Sequence, residues 1–147
     1  MEFSLDIVRY CAEEVSRQQD DPVAVWWLCD AWCKAMDAKI SRRRLDAALI
    51  ESWGRIVSQR ENVLGFRRVN VRVGADPRPD WREVQELMAR WVKNLDTMTP
   101  EEAYRTFEEI HPFRDGNGRT GKIIFNYLKN TLSSPVMPPN FWNCANP

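Results

Sequence analysis

Apolar residues recur at three- and four-residue steps through most of this 147-residue chain, and that spacing limits its fold more than any other feature. It predicts a first helix from Ser4 to Arg17, a central helix from about Pro22 to Lys39, and a third helix that Ser41 caps and that runs to Val57. Between Leu64 and Gly74 the spacing changes to the two-residue alternation of extended chain. One strand or a short hairpin is therefore expected there.

The C-terminal half returns to helical spacing. Asp80 is expected to cap a fourth helix, and Thr99, followed by a proline and two acidic residues, is expected to cap a fifth. The fifth helix must end near His111, because Pro112 disfavours helical geometry in the residue before it. A last apolar helix follows a glycine-rich stretch and is expected to end near Ser133.

These elements indicate a mainly α fold, a compact helical domain with a short β-hairpin. One domain is expected over residues 1–147, with N-terminal helices at 3–61, a motif-bearing core at about 62–130 and an irregular tail at 134–147. Apolar residues of the tail are expected to dock it on the helices (Val136, Met137, Phe141 and Trp142).

Charge and cysteine content argue against several functions. Lysine plus arginine equals aspartate plus glutamate at 21 each, so no net field attracts the chain to nucleic acid or to an anionic membrane. The four cysteines lack a zinc-ribbon spacing and the chain has one histidine, which argues against a cysteine-based metal site. The first residues lack a signal-peptide pattern, and no apolar run is long enough to span a bilayer. A cytoplasmic protein that binds neither nucleic acid nor membrane is expected.

Residues 111–122 are the segment in which the sequence indicates chemistry, and they lie between two predicted helices. Gly116 and Gly118 allow successive N–H groups to turn inward as an anion nest, and the following helix adds free N–H groups and the positive end of its dipole. Arg119 and Lys122 stand in the first helical turn, where cations are unfavourable unless they face a bound anion. The pattern is typical of a phosphate site.

Asp115 and His111 add groups that phosphate chemistry uses. A carboxylate beside a phosphate nest is unfavourable unless a divalent cation such as Mg²⁺ bridges the carboxylate and the phosphate. His111 is the one side chain of the segment whose ordinary pKa suits proton abstraction near neutrality. Each feature alone would suit an ordinary turn or a solvated helix end, but their combination within one short segment indicates a functional site.

The same segment resembles the signature of the Fic domain family (Fic/Doc superfamily), in the residues His111-Pro112-Phe113, Asp115, Gly116-Asn117-Gly118 and Arg119. Upstream, residues 65–74 are similar to the family's flap and residues 106–110 to its pre-motif helix. The resemblance covers about residues 62–130. It implies a mostly helical fold and the transfer of AMP from ATP to a hydroxyl of a target protein, a reaction called AMPylation.

Carried over residue by residue, the resemblance implies a role for each position. His111 would deprotonate a Ser, Thr or Tyr hydroxyl of the target, Asp115 would hold Mg²⁺, and the structural residues Pro112 and Phe113 would anchor the loop. A further group would bind the phosphates of ATP (Gly116, Asn117, Gly118, Arg119 and Lys122). The flap would hold the target chain as an added strand (Phe66, Arg67, Val69, Val71 and Val73).

Two departures from the family pattern change these expectations. The family usually has a second arginine where this chain has Lys122, which keeps the charge but loses the planar fork, so γ-phosphate binding is expected to be weaker or the nucleotide different. Many members carry an inhibitory helix with Ser or Thr four residues before a Glu that Gly or Asn follows. Here Glu61 alone is followed by either residue type, and Val57 stands at the Ser or Thr position. A separate, antitoxin-like inhibitor protein, or none, is therefore expected.

Four other functions compete with AMP transfer. A protein kinase like the Doc branch, or a transferase that uses another nucleotide, would employ the same fold, although the Doc branch has a lysine where this chain has Gly118. A non-catalytic nucleotide-binding or protein-interaction module is opposed by the intact His111 and Asp115. A helical nucleic-acid binder is weaker still, because residues 42–44 form only a short arginine cluster at a helix start.

Overall fold

Short polar side chains start four of the helices in the computed structural model, which describes residues 4–18 and 20–140. Ser4, Asp46, Asp80 and Thr99 each accept a hydrogen bond from an N–H group in the first turn of the helix that follows. The described helices are α1 (Leu5–Arg17), α2 (Val23–Ile40), α3 (Ala47–Val57), α4 (Trp81–Lys93), α5 (Pro100–Ile110) and α6 (Asn117–Lys129), with a 3₁₀ turn at Leu95–Thr97. The predicted mainly α fold with a short hairpin is confirmed.

The predicted start of the third helix is wrong. Helix α3 begins at Ala47, and Asp46 rather than Ser41 is its cap, because the Asp46 carboxylate accepts the Leu49 N–H at 2.7 Å. Arg42 adopts a left-handed φ of 57°, which separates the end of α2 from the start of α3.

The predicted end of the last helix is also wrong. Helix α6 stops at Lys129 rather than near Ser133, because Asn130 turns left-handed with a φ of 62°. The tail beyond it is held by polar contacts: the Asn126 amide pairs with the N–H and the carbonyl of Val136 at 2.8 and 3.1 Å. The predicted docking residues Val136 and Met137 are 38% and 50% exposed. The other two, Phe141 and Trp142, lie outside the described residues.

The extended segment is shorter than predicted and lies later in the chain. Strands β1 (Arg72–Val73) and β2 (Asp76–Pro77) pair antiparallel, with Arg72 opposite Pro77 and Val73 opposite Asp76. Gly74 takes a positive φ of 61° in the turn between them. Residues 64–71 form an irregular connection from α3 to this hairpin.

The buried apolar side chains form one cluster, in which α2 packs against α1, α3 and α6, and α5 packs against α4 and α6. Trp32 of α2 and Trp53 of α3 are fully buried, which agrees with the predicted central position of α2. The connection at 111–116 therefore leaves one end of the packed α5 and α6 pair. Within 4–18 and 20–140, no helix has both the length and the apolar character that crossing a membrane requires.

Candidate active site

His111 is held at the C-terminal end of α5 in a left-handed conformation. Its φ and ψ are 53° and 61°, and its N–H still bonds to the Phe107 carbonyl at 3.0 Å. A residue with a Cβ adopts this geometry only at a cost, so surrounding contacts must hold it there. The turn ends the helix one residue before Pro112 and places the imidazole at the wall of a cavity.

The imidazole of His111 is neutral near pH 7 because burial disfavours its charged form. Burial, with a smaller effect of the nearby Arg78 guanidinium in the same direction and of the Glu108 carbonyl in the opposite one, lowers the pKa of His111 to about 4. Nδ1 is buried and makes no hydrogen bond of normal geometry to the described residues. Nε2 is therefore the nitrogen that can reach the cavity, in the neutral form that accepts a proton.

Two amide side chains fix the loop that follows α5. The Asn117 amide accepts the Phe113 N–H and donates to the Phe113 carbonyl, at 2.8 Å each. The Asn62 amide forms the same pair of hydrogen bonds with the main chain of Asp115, accepting from its N–H at 3.2 Å and donating to its carbonyl at 2.7 Å. Phe113 itself is fully buried, with its ring centre 5.3 Å from that of Phe66. The Asn117 side chain is thus structural, and only its main chain is available to an anion.

Helix α6 begins with an open N-terminus. Gly116 precedes it with a φ of 72°, and a Cβ at this position would come within 2.8 Å of the Val57 side chain. No side chain of the described residues caps the helix, so the N–H groups of its first turn keep their capacity to bind an anion. Gly118 lies inside that first turn without a positive φ, so only one of the two glycines needs the special backbone geometry. A Cβ on Gly118 would stand 3.4 Å from the Gln18 side-chain nitrogen.

Arg119 is buried against carboxylates. Its side chain is 2% exposed, with Nη1 2.7 Å from Asp20 Oδ2 and Nη2 3.3 Å from Asp115 Oδ2. The Ser58 hydroxyl donates to the same Asp115 oxygen at 2.6 Å. The Nε–H of Arg119 has no hydrogen-bond partner in the described part of the chain. A phosphate that binds Arg119 must therefore compete with Asp20 and Asp115 or use Nε.

Lys122 also faces buried carboxylates. Its Nζ lies 2.5 Å from Oε2 of Glu14, a residue of α1 that pairs with Arg17 as well. Glu108 of α5 is 9% exposed, and burial raises the pKa of Glu108 to about 7, with Lys122 and Arg78 opposing the shift. The ammonium of Lys122 thus has a partner inside the protein, which the sequence did not indicate.

A cavity of about 780 Å³, a volume typical of small-molecule sites, is lined by His111, Glu108 and Lys122, whereas Asp115 and residues 116–119 are not part of its lining. Side chains of α5, α6, the hairpin, the end of α1 and the tail line it, among them cations and carboxylates (Arg17, Arg78, Lys122, Asp76 and Glu108). His111 lies on the same wall. The candidate base and the Lys122 cation therefore share one space that can hold a ligand.

The predicted flap residues divide into two groups. Phe66 and Arg67 are 6% and 4% exposed, so their side chains hold the flap and are not available to a target. Val69 and Val73 are 43% and 41% exposed, and Val71 is partly exposed. Because the described hairpin has two strands, β1 keeps one unpaired edge.

Six residues at the site were not singled out by the sequence: Ser58, Asn62, Arg78, Glu14, Asp20 and Glu108. Two of them left a signal, since Glu14 lies on the apolar face of α1, seven residues after the buried Ile7, and Glu108 lies four residues after the buried Tyr104 in α5. A carboxylate on an apolar helix face requires a buried partner. The other four lie in or near irregular segments, where no periodic pattern distinguishes an inward from an outward side chain.

A protein-family model described as the Fic/DOC family matches residues 43–128, more than half of the chain. The matched segment runs from α3 through the hairpin and α5 to most of α6, and it contains His111 and the loop after it. Fic domains are generally transferases, so the match suggests a nucleotide transferase of the Fic type. The chain belongs to the Fic/DOC family.

Proposed function

We propose that the protein transfers the AMP part of ATP to a Ser, Thr or Tyr hydroxyl of a target protein. The observation that carries this proposal is the placement of a neutral His111 five residues before Gly116, where the uncapped α6 begins. A base and an anion site so close together suit a reaction in which a hydroxyl attacks a phosphate.

In that reaction Nε2 of His111 accepts the proton of the target hydroxyl while the hydroxyl oxygen attacks the α-phosphorus of ATP. The bond from the α-phosphorus to the bridging oxygen breaks, and pyrophosphate leaves. Main-chain N–H groups of Asn117 and Gly118, together with the helix dipole, stabilise the negative charge on the phosphate oxygens. Lys122 supplies a cation for the terminal phosphates when it exchanges Glu14 for them.

Asp115 is the residue that would hold Mg²⁺. Its carboxylate is 44% exposed at the α6 N-terminus, and its Oδ2 accepts hydrogen bonds from Ser58 and Arg119. Within the described residues, no three acidic, histidine or cysteine side chains come together as a metal site. One carboxylate fits Mg²⁺ where phosphates and water complete the shell, as in many nucleotide sites. When bound, the ion would neutralise charge on the phosphates.

The target chain is proposed to add to the free edge of β1. Val69 and Val73 expose apolar surface beside that edge, and main-chain hydrogen bonds along it would bind an extended peptide with little sequence discrimination. The hairpin also lines the cavity through Val73, Asp76 and Arg78, so a peptide seated there would lie next to the nucleotide.

The decisive experiment incubates the protein with cell lysate and ATP labelled at the α or the γ phosphate. Protein labelling from the α position only supports nucleotidyl transfer. Labelling from the γ position only would mean that the protein is a kinase. No labelling, at an ATP concentration that calorimetry shows to occupy the site, would favour a non-catalytic binding module. Either result would overturn the proposal. His111→Asn is the matched control, because asparagine tolerates the left-handed backbone. It should bind ATP and transfer nothing.

A further inference from the structure

We propose that Arg67 is the positioning residue of this site, joining the flap that would receive the target to the backbone of His111. The catalytic meaning of this inference rests on the proposed function. Its structural content does not, because the contacts of Arg67 can be tested without turnover.

Arg67 binds three successive carbonyls where α5 ends. Its N–H donates to the Pro112 carbonyl at 2.9 Å, its Nε to His111 at 2.7 Å, and its Nη2 reaches Ile110 at 3.3 Å. Carbonyls at a helix C-terminus lack partners within the helix, and here they flank a left-handed residue. Arg67 therefore satisfies the groups that hold His111 in its costly conformation.

The same guanidinium binds both sides of the flap. Nη1 donates to the Val69 carbonyl at 3.0 Å, before β1, and Nη2 donates to the Pro79 carbonyl at 2.6 Å, after β2. A guanidinium is planar, so its donors keep fixed relative positions. A displacement at the base of the hairpin and a displacement of the His111 carbonyl are thus coupled through one side chain.

Burial makes this arrangement hard to replace. Arg67 is 4% exposed and forms no ion pair with any of the described residues. Burial lowers the pKa of the Arg67 guanidinium, and the charge of Asp80 opposes that shift only in part. A lysine would retain the charge, but one ammonium cannot reach carbonyls of two separate segments. The neighbouring Arg68 is exposed and provides a matched control.

The experiment compares Arg67→Lys with Arg68→Lys in the full chain, by histidine NMR, ATP calorimetry and steady-state transfer kinetics. The chain has one histidine, so its imidazole signals need no assignment. In Arg67→Lys we expect shifted imidazole signals and a kcat reduced at least about tenfold, with ATP affinity within about twofold of wild type. Arg68→Lys should change none of these. An unchanged histidine spectrum in folded Arg67→Lys, or equal losses of ATP affinity and kcat, would overturn the proposal.

Wild-type protein decides the question if Arg67→Lys does not fold. The Nε–H of Arg67 should then exchange with solvent much more slowly than that of Arg68, and its guanidinium rotation should be hindered. Equal exchange at the two arginines would contradict the proposed contacts. If wild-type protein transfers nothing from ATP, the proposed function fails, while the histidine and arginine spectra still decide whether Arg67 positions His111.

Discussion

Lys122 and the buried Glu14 form an ion pair between α6 and α1, with Nζ 2.5 Å from Oε2. A nucleotide phosphate that uses Lys122 must compete with this carboxylate. We therefore expect Glu14→Gln to tighten ATP binding by about tenfold, the size of one charge-assisted hydrogen bond. Calorimetric titration measures the change, and Glu13→Gln is the control because Glu13 is the exposed neighbour on the same helix.

The same substitution carries a stability cost that separates the two effects. Glu14 also pairs with Arg17, so a neutral amide leaves two cations with weaker partners, and the free energy of unfolding should fall by about 1–3 kcal/mol. A variant that is destabilised but binds ATP with wild-type affinity would mean that Lys122 does not reach the nucleotide.

The titration of His111 should depart clearly from that of an exposed histidine. Burial lowers its pKa to about 4 from an ordinary value of 6.5. Between these pH values the unfolded chain binds a proton at this residue that the folded chain does not, so the contribution of His111 to stability should fall as the pH drops from about 6.5 towards 4. NMR titration gives the pKa directly. Urea unfolding of wild type and His111→Asn at pH 7 and pH 5 gives the linked stability, and the free energy of unfolding of wild type should fall relative to that of the variant between pH 7 and pH 5. A histidine pKa near 6.5 would refute the buried, neutral state.

Helix starts were predictable where the signal is local. Asp80 caps α4 and Thr99 caps α5, as expected from a polar residue just before an apolar stripe. The prediction that Ser41 caps α3 was wrong because a contact distant in sequence decides between Ser41 and Asp46. The Tyr127 hydroxyl of α6 donates to the Arg43 carbonyl and helps to keep residues 41–46 out of a helix. A one-dimensional pattern does not contain that contact.

The site shows the same division. The base, the anion nest and the helix start are contiguous in residues 111–122, so the sequence alone predicts their chemistry. The sequence does not predict whether each cation is free to bind a ligand, because Lys122 contacts Glu14, 108 residues away in the chain, and Arg67 contacts His111, 44 residues away. Nor could the sequence show that Phe66 and Arg67 point inward from the flap.

Glu108 should affect stability in the opposite direction from His111, over nearly the same pH range. Burial raises its pKa to about 7 from 4.5, so the folded chain binds a proton that the unfolded chain releases. The contribution of Glu108 to stability should therefore fall as the pH rises from about 4.5 to 7. Glu108→Gln stays neutral and should be more stable than wild type at pH 8, by about 1 kcal/mol or more, with less difference at pH 5. Urea unfolding at both pH values tests this, with the exposed Glu109→Gln as control. Equal stability of wild type and Glu108→Gln at pH 8 would contradict it.

Proline at Arg72 tests whether the flap binds its target through the main chain. Arg72 lies opposite Pro77, and the Val71 carbonyl beside it accepts the Arg78 N–H at 3.0 Å, so the main chain of Val71 faces β2 and the N–H of Arg72 faces the free edge of β1. Arg72→Pro thus removes a donor that the hairpin does not use, and a strand added at this edge would lose one hydrogen bond and meet the proline ring.

We expect labelling of protein targets by Arg72→Pro to fall at least about tenfold while ATP affinity stays within about twofold. Arg72→Ala, which loses the side chain but keeps the N–H, should retain most of the labelling. Equal loss in both variants would assign the effect to the side chain, loss of ATP binding would indicate a folding defect, and full labelling by Arg72→Pro would remove this edge from target recognition.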